Sequence, residues 1–320
     1  MKNHFFISLA AVLALVACNK TASVETTGDT VDVHYELNAS TLSKAVADGD
    51  GAAANVNRYI CEVYTGGTRY MRKVNTVAAG TLQTTFDFKL VKGQTYDLLF
   101  WADCAATDGS DLYYNTASLK NVEVLTTQIS CTDKRDAFFG NDQIALGETQ
   151  ITKTVYLKRP FAQLNIITTD ISDIYASEIP GSFLPDAVTL TYQGYTGFNV
   201  STSEVVGTPV TIFHTCAPYA SLTNTTGVAA WTLTMDYVLT TVATESVAIS
   251  VTDVVDLNWV VKHGTNQITS MDFSSIPLKR NYRTNITGAL LTNTATYTVE
   301  ILPGWTGELN PSIKSETLPQ

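Results

Sequence analysis

Residues 230–240 read AWTLTMDYVLT. Trp231, Leu233, Met235, Tyr237 and Leu239 take every second position, with Thr232, Thr234, Asp236, Val238 and Thr240 between them. A period of two sends alternate side chains to opposite faces of an extended backbone, and Thr and Tyr suit a pleated surface. The stretch predicts a strand with one apolar face and one more polar face. VDVHYEL (31–37) repeats the pattern, with Val31, Val33, Tyr35 and Leu37 facing one way and Asp32, His34 and Glu36 the other. TTFDFKL (84–90) sets Phe86, Phe88 and Leu90 on one face. YDLLFWA (96–102) is apolar on both faces, which places it mid-sheet and covered on both sides.

Turn signals separate these segments: Gly66-Gly67, Lys92-Gly93, Asp108-Gly109, Pro180-Gly181 and Pro303-Gly304. Helical periodicity is scarce, and only TTDISDIYASEI (168–179) suggests a short helix. Many short strands at fairly even spacing indicate an all-β protein built from antiparallel sandwiches. Without crossover helices, a parallel sheet is not expected. The chain has 320 residues, a length that suggests two domains. Two stretches share a phrase: LKRPFAQLNI (157–166) and LKRNYRTNIT (278–287). Each puts an aromatic after Leu-Lys-Arg and then alternates, so they read as corresponding strands of two sandwiches.

Charge and composition exclude several roles. A formal charge of −10 argues against nucleic acid, whose phosphates demand clustered Lys and Arg, and against electrostatic docking on anionic lipid. Hydrophobic content of 45% and charged content of 16% describe a folded chain. The segment FFISLAAVLALVA (5–17) is apolar apart from Ser8, too short to span a bilayer, and shaped like a secretory signal. It ends at Leu15-Val16-Ala17-Cys18, which resembles the bacterial lipobox. That resemblance implies a signal at 1–17, lipid on Cys18 and a polar tether over 18–30 in an oxidising space outside the cytoplasm. Several buried acyl chains, at about 0.8 kcal/mol per CH2, give stable anchoring.

Four further cysteines, Cys61, Cys104, Cys131 and Cys216, contain no CxxC pair, and they allow three full disulfide pairings. Enzyme signatures are missing: there is no GxSxG elbow, no GxxxxGK[ST] loop and no GxGxxG turn. His34, His214 and His263 lack metal-ligand spacing, and His214 beside Cys216 reads as packing. Asp103, Asp108 and Asp111 form the densest acidic stretch, and read as a turn built on Asp-Gly and not as a calcium loop. No catalytic residue, metal or cofactor is expected. Tyr113, Tyr114, Tyr192, Tyr195 and Trp305 lie near loops, where they could stack on a glycan.

Taken together, YDLLFWADC (96–104), RDAFFG (135–140), the two Leu-Lys-Arg phrases, with the second extended to LKRNYRTNITGALLT (278–292), and VEILPGW (299–305) resemble the fimbrillin-like lipoproteins of Bacteroidota, a group related to type V pilins that includes domains of unknown function. The resemblance implies two tandem transthyretin-like β-sandwich domains, over 31–159 and 160–320. It implies outer-membrane placement through the lipid, at the cell surface or in a fimbrium, and pairing with other pilus subunits by strand exchange. In that scheme a protease cuts behind the first strand, and a strand of another subunit fills the groove. Here the removable strand is Val31, Val33, Tyr35 and Leu37; burying the four would contribute roughly 6–12 kcal/mol at about 1.5–3 each. The candidate donor is Tyr297, Val299 and Ile301. The soft segment 38–57 offers Lys44 where the pilin pattern has Arg, and the first Arg after Cys18 is Arg58. Lys44 and Arg58 are therefore the candidate processing residues. The other reading is a surface lipoprotein that does not polymerise and holds a glycan or host protein through loop 103–114.

Overall fold

The computed structural model describes residues 28–39, 53–172, 184–220, 229–241, 253–292 and 296–302. Cys18, Lys44, Trp305 and most of the expected helix at 168–179 lie outside them. Strands are numbered in chain order. The first sandwich packs one sheet, β4 (Gln83–Val91), β1 (Thr30–Asn38) and β9 (Ile151–Tyr156), against another, β3 (Thr68–Thr76), β2 (Arg58–Thr65), β5 (Thr95–Asp103) and β8 (Phe138–Ala145). Its core takes Val33, Tyr35 and Leu37 from β1, Phe86, Phe88 and Leu90 from β4, and Leu98 and Phe100 from β5. The all-β antiparallel sandwich architecture is as the alternation predicts.

The second sandwich has β15 (Trp231–Leu239), β10 (Phe161–Thr168), β18 (Arg283–Gly288) and β19 (Tyr297–Leu302) in one sheet. The other holds β14 (Val210–Cys216), β11 (Ala187–Gly194), β16 (Asp253–His263) and β17 (Asn266–Leu278). A small third sheet joins β6 (Tyr114–Asn115) and β7 (Val122–Val124) to β12 (Gly197–Asn199) and β13 (Glu204–Val206). It therefore draws strands from either side of residue 160. Beneath it runs a third apolar cluster that includes Trp101, Tyr114, Phe139, Phe161, Phe198 and Tyr237. The outer face of β5 is thus covered as well, which explains why YDLLFWA is apolar on both sides.

Two expectations need correction. The Leu-Lys-Arg phrases do not mark equivalent strands of separate sandwiches. They lead into β10 and β18, which are parallel neighbours in one sheet, with Gln163 opposite Arg283 and Ile166 opposite Ile286. Asn165 Nδ2 donates to Asn285 Oδ1 at 2.9 Å across that pair. Parallel pairing also occurs in the first sandwich, between β1 and β9. No crossover helix is needed, because the chain runs through the facing sheet before it returns. In both sandwiches the opening strand lies between an antiparallel partner (β4 or β15) and a parallel late one (β9 or β18).

The second correction concerns the stretch 230–240. Its more polar face is not exposed: Thr234 and Asp236 are fully buried. The pairing of β10 with β15 slips between Ile166 and Ile167, which sit opposite Thr234 and Thr232, so Leu233 is an extra residue. A bulge of one residue turns the following side chains over to the other face. Trp231 and Leu233 lie in the second core, whereas Met235, Tyr237 and Leu239 lie in the third cluster. Asp236 consequently points into the second sandwich.

Candidate functional site

The site to be built is the slot that β1 fills. Val31, Val33, Tyr35 and Leu37 are all buried. The Tyr35 ring lies 5.2 Å from that of Phe100 and 6.2 Å from that of Phe88. Its hydroxyl donates to Asp142 Oδ2 at 2.5 Å, and burial with that carboxylate pushes the phenol well above its ordinary pKa. On the other face His34 Nδ1 lies 2.6 Å from Asp87 Oδ1. The backbone of β1 is laddered on both sides, to β4 over Thr30–Asn38 and to β9 over Val33–Asn38. It is therefore a central strand. Taking it away would leave two facing strand edges and an open apolar trough, walled on the β4 side by Phe86, Phe88 and Leu90 and floored by the facing sheet with Leu98 and Phe100.

The candidate donor strand is seated in its own sheet. Among the described residues β19 pairs with β18 alone, from Gly288 opposite Tyr297 to Arg283 opposite Leu302. Val299 is buried, and the Tyr297 ring stands edge-on to Phe273 at 5.0 Å. Gly288 permits the approach: a Cβ there would sit 2.3 Å from the Thr296 carbonyl oxygen.

Of the candidate processing residues, Arg58 is 3% exposed. Its Nε and Nη2 donate to Asp103 at 2.9 and 2.7 Å, and Nη1 lies 2.8 Å from Asp111 Oδ1. A protease would have to open β2 to reach it. The acidic stretch is accounted for by the same contacts. Burial lifts the Asp103 carboxyl even against Arg58. Asp111 also accepts the amide and hydroxyl of Thr116, and Asp108 accepts those of Ser110. Tyr114 is buried and its hydroxyl donates to the Arg135 carbonyl, so it offers no ring to a ligand. Tyr113 is half-buried. Tyr192 is buried too, whereas Tyr195 lines an open cavity of about 500 Å³ with Gln193 and Asp253.

Sequence reasoning missed a buried ionic centre. Asp236 faces the Arg135 guanidinium and accepts from Tyr192 Oη at 2.8 Å and from its neighbour amide, Tyr237 N, at 2.7 Å. His214 Nε2 lies 3.1 Å from Oδ2, the oxygen that also accepts from Tyr192. Burial would raise this carboxyl, but Arg135 and the surrounding donors hold it far below the usual range. One residue on, Asp136 takes a bidentate pair from Arg159 at 2.7 and 2.6 Å. The segment Arg135-Asp136 therefore clamps the chain on either side of residue 160. Cys131 is bonded to Cys216, while Cys61 and Cys104 are buried free thiols.

The model of the Family of unknown function (DUF6562) matches residues 21–318. The chain belongs to that family. No curated protein matches it. A candidate polysaccharide binding protein (DUF1812) from Bacteroides thetaiotaomicron is similar, with a TM-score of 0.50 and 9% identity over 85% of this chain and 95% of that one. A candidate cell adhesion protein from Bacteroides eggerthii gives 0.49 and 10% over 87% and 96%. The tip fimbrial protein Mfa3 from Porphyromonas gingivalis gives 0.47 and 10% over 85% and 98%. At these identities the likeness is one of fold, and in the first case it extends over nearly all of that structure.

This DUF6562 chain holds β1 and the junction near residue 160 by different means. Its opening strand is buried by four side chains and two ladders, and is followed by the segment 40–52 before β2 begins. The seam where the chain crosses from one sandwich to the other near residue 160 is fixed, by contrast, by ion pairs, a small sheet and a disulfide.

Proposed function

We propose that this chain is a lipid-anchored, fimbrillin-like structural subunit or anchor of a cell-surface pilus, and that it pairs with other subunits by β-strand exchange. The reading rests on β1, a central strand that alone precedes the segment 40–52 and carries Val31, Val33, Tyr35 and Leu37 into the first core. The proposed units are a signal at 1–17, a tether at 18–30 from Cys18 to the outer membrane, and sandwiches at 31–159 and 160–320. Cleavage belongs in the segment 40–52, where Lys44 stands, because Arg58 is buried. The incoming strand carries Tyr297, Val299 and Ile301. It would exchange a one-sided ladder on β18 for a two-sided one between β4 and β9, which favours transfer. The role is structural, with no reaction and no cofactor.

N-terminal sequencing of the protein recovered from cell surfaces tests this. Assembled material is expected to begin between residues 41 and 53. A single form that starts at Cys18 and stays monomeric on mild extraction would overturn the exchange. A second reading, a surface lipoprotein that binds a glycan, is favoured by the cavity beside Tyr195, Gln193 and Asp253. It also fits the polysaccharide binding named for the Bacteroides thetaiotaomicron relative. Glycan-array binding that disappears in Tyr195→Ala supports it, and a blank array removes it.

A further inference from the structure

β14 closes with His214-Thr215-Cys216, so His214 and Cys216 stand two residues apart on one face of the strand. Cys131 reaches them from the segment between two single 3-10 turns, Thr126–Gln128 and Asp133–Arg135. The two sulfurs and a ring nitrogen of His214 all lie within 4.8 Å of one another. His214 is 5% exposed, and its Nδ1 is buried with no hydrogen-bond partner among the described residues. Buried polar atoms are nearly always paired, so this one calls for an explanation.

The other ring nitrogen supplies part of it. Nε2 faces Asp236, which is engaged by the Arg135 guanidinium and acts as an acceptor. The ring therefore donates through Nε2, and Nδ1 is the nitrogen left without a partner. A carboxylate that holds one nitrogen of an imidazole while the other is left free is the arrangement found behind metal-ligating histidines. Here two sulfurs lie within 4.8 Å of a nitrogen of the same ring.

We infer that reduction of the Cys131–Cys216 bond creates a thiolate–imidazole site for a zinc-class cation, with both sulfurs and His214 Nδ1 as ligands. The chemistry balances with a dithiol as reductant. The dithiol gives two electrons and two protons and becomes a disulfide, and the protein bond becomes two thiols. Zn²⁺ then replaces both thiol protons, which leave to solvent, and two Zn–S bonds form. The imidazole gives the Nδ1 lone pair, and any proton on that nitrogen leaves to solvent with the thiol protons. Zn²⁺ with two thiolates is neutral, so it adds no net charge beside the Arg135–Asp236 pair.

The geometry requires modest movement. Zn–S bonds of about 2.3 Å at a tetrahedral angle put the sulfurs about 3.8 Å apart. The Cα atoms, 6.0 Å apart, can stay near where they are. Cys131 and Cys216 are half-buried, so water can take the fourth position. The disulfide and the metal exclude each other, yet each ties β14 to the segment that carries Arg135. The site would keep the seam closed under reducing conditions, when the covalent link is lost.

The full chain, reduced with dithiothreitol and desalted without oxygen, is titrated with Zn²⁺ against a chromophoric chelator and separately with Co²⁺. One equivalent of Zn²⁺ should bind after reduction and none before, and Co²⁺ should show a thiolate charge-transfer band. Cys131→Ser/Cys216→Ser should abolish both signals, His214→Gln should weaken zinc at least about tenfold, and Cys61→Ala/Cys104→Ala should change neither. Binding that survives Cys131→Ser/Cys216→Ser, or a reduced wild type that keeps its sheet signal and binds no zinc, overturns the site. If reduction itself unfolds the chain, recovery of the sheet signal on adding Zn²⁺ supports the inference, and failure to recover overturns it.

Discussion

Arg135 and Asp236 come from segments 101 residues apart, and both are buried. Removing one partner strands the other without water, a cost of about 3–5 kcal/mol for a buried pair. Asp236→Asn should therefore lower the urea stability by that amount, whereas Tyr192→Phe, which deletes one of several donors, should cost about 1–2 kcal/mol. Equal losses in the two variants would contradict the central role given to Arg135. Asp170 permits a test by pH. Burial pushes its carboxyl up, but hydrogen bonds from the Thr168 and Thr292 hydroxyls and the Leu291 and Thr292 amides outweigh this and lower it. A carboxylate lowered on folding contributes stability above its unfolded pKa and loses it as the pH falls through the folded one. Asp170→Asn should thus be less stable than wild type at neutral pH, by about 1–3 kcal/mol, with the gap narrowing below the ordinary carboxylate range. Asp103 and Asp136 are shifted upward by burial and act in the opposite sense. The comparison therefore has to be made between variants, by urea unfolding at several pH values, and not from the wild-type curve alone.

At the scale of elements, the alternation in 31–37, 84–90 and 230–240 identifies β1, β4 and β15, because the period of two is a local property of the backbone. What it cannot carry is a bulge. Leu233 interrupts the ladder without interrupting the pattern, and so Asp236 reads as exposed although it is buried. The buried arginines escape for a related reason. Arg58, Arg135 and Arg159 meet their carboxylates across distances of 45, 101 and 23 residues, which no local window spans. The adjacency of the two Leu-Lys-Arg phrases is likewise a matter of topology. β1 offers the clearest test of an element. Tyr35→Ala removes a fully buried ring from the middle of the strand and should cost about 3–5 kcal/mol. Tyr35→Phe keeps the ring and leaves Asp142 still paired with Lys153 at 2.7 Å, so its cost should stay near 1 kcal/mol. Thermal or urea unfolding separates the two, and a small loss in Tyr35→Ala would mean that the strand is not an integral part of the first core.

At the scale of the molecule, the seam and the slot behave differently. The seam is closed by the third apolar cluster, by the sheet that mixes β6 and β7 with β12 and β13, and by Cys131–Cys216, which closes a loop across 85 residues. A loop of that length implies about 4.6 kcal/mol from the disulfide, a loss that Cys131→Ser should show in calorimetry of the unreduced protein. The slot has no covalent closure other than the chain itself. Once the segment 40–52 is cut, β1 is held only by its side chains and two ladders. Roughly 6–12 kcal/mol of apolar burial would keep it in place in dilute solution, so cleavage alone should leave a monomer. A competing strand changes the balance by mass action, because it can occupy the same two edges. A labelled peptide of residues 295–305, ATYTVEILPGW, should therefore bind the cleaved chain and release the fragment carrying Val31, Val33, Tyr35 and Leu37. Intact protein should not bind it, since a tethered β1 returns faster than a free peptide arrives. Fluorescence anisotropy follows the binding, and mass spectrometry identifies the released strand. Binding of equal strength to cut and uncut protein would show that the peptide docks elsewhere, and no binding to either would remove β19 as the donor.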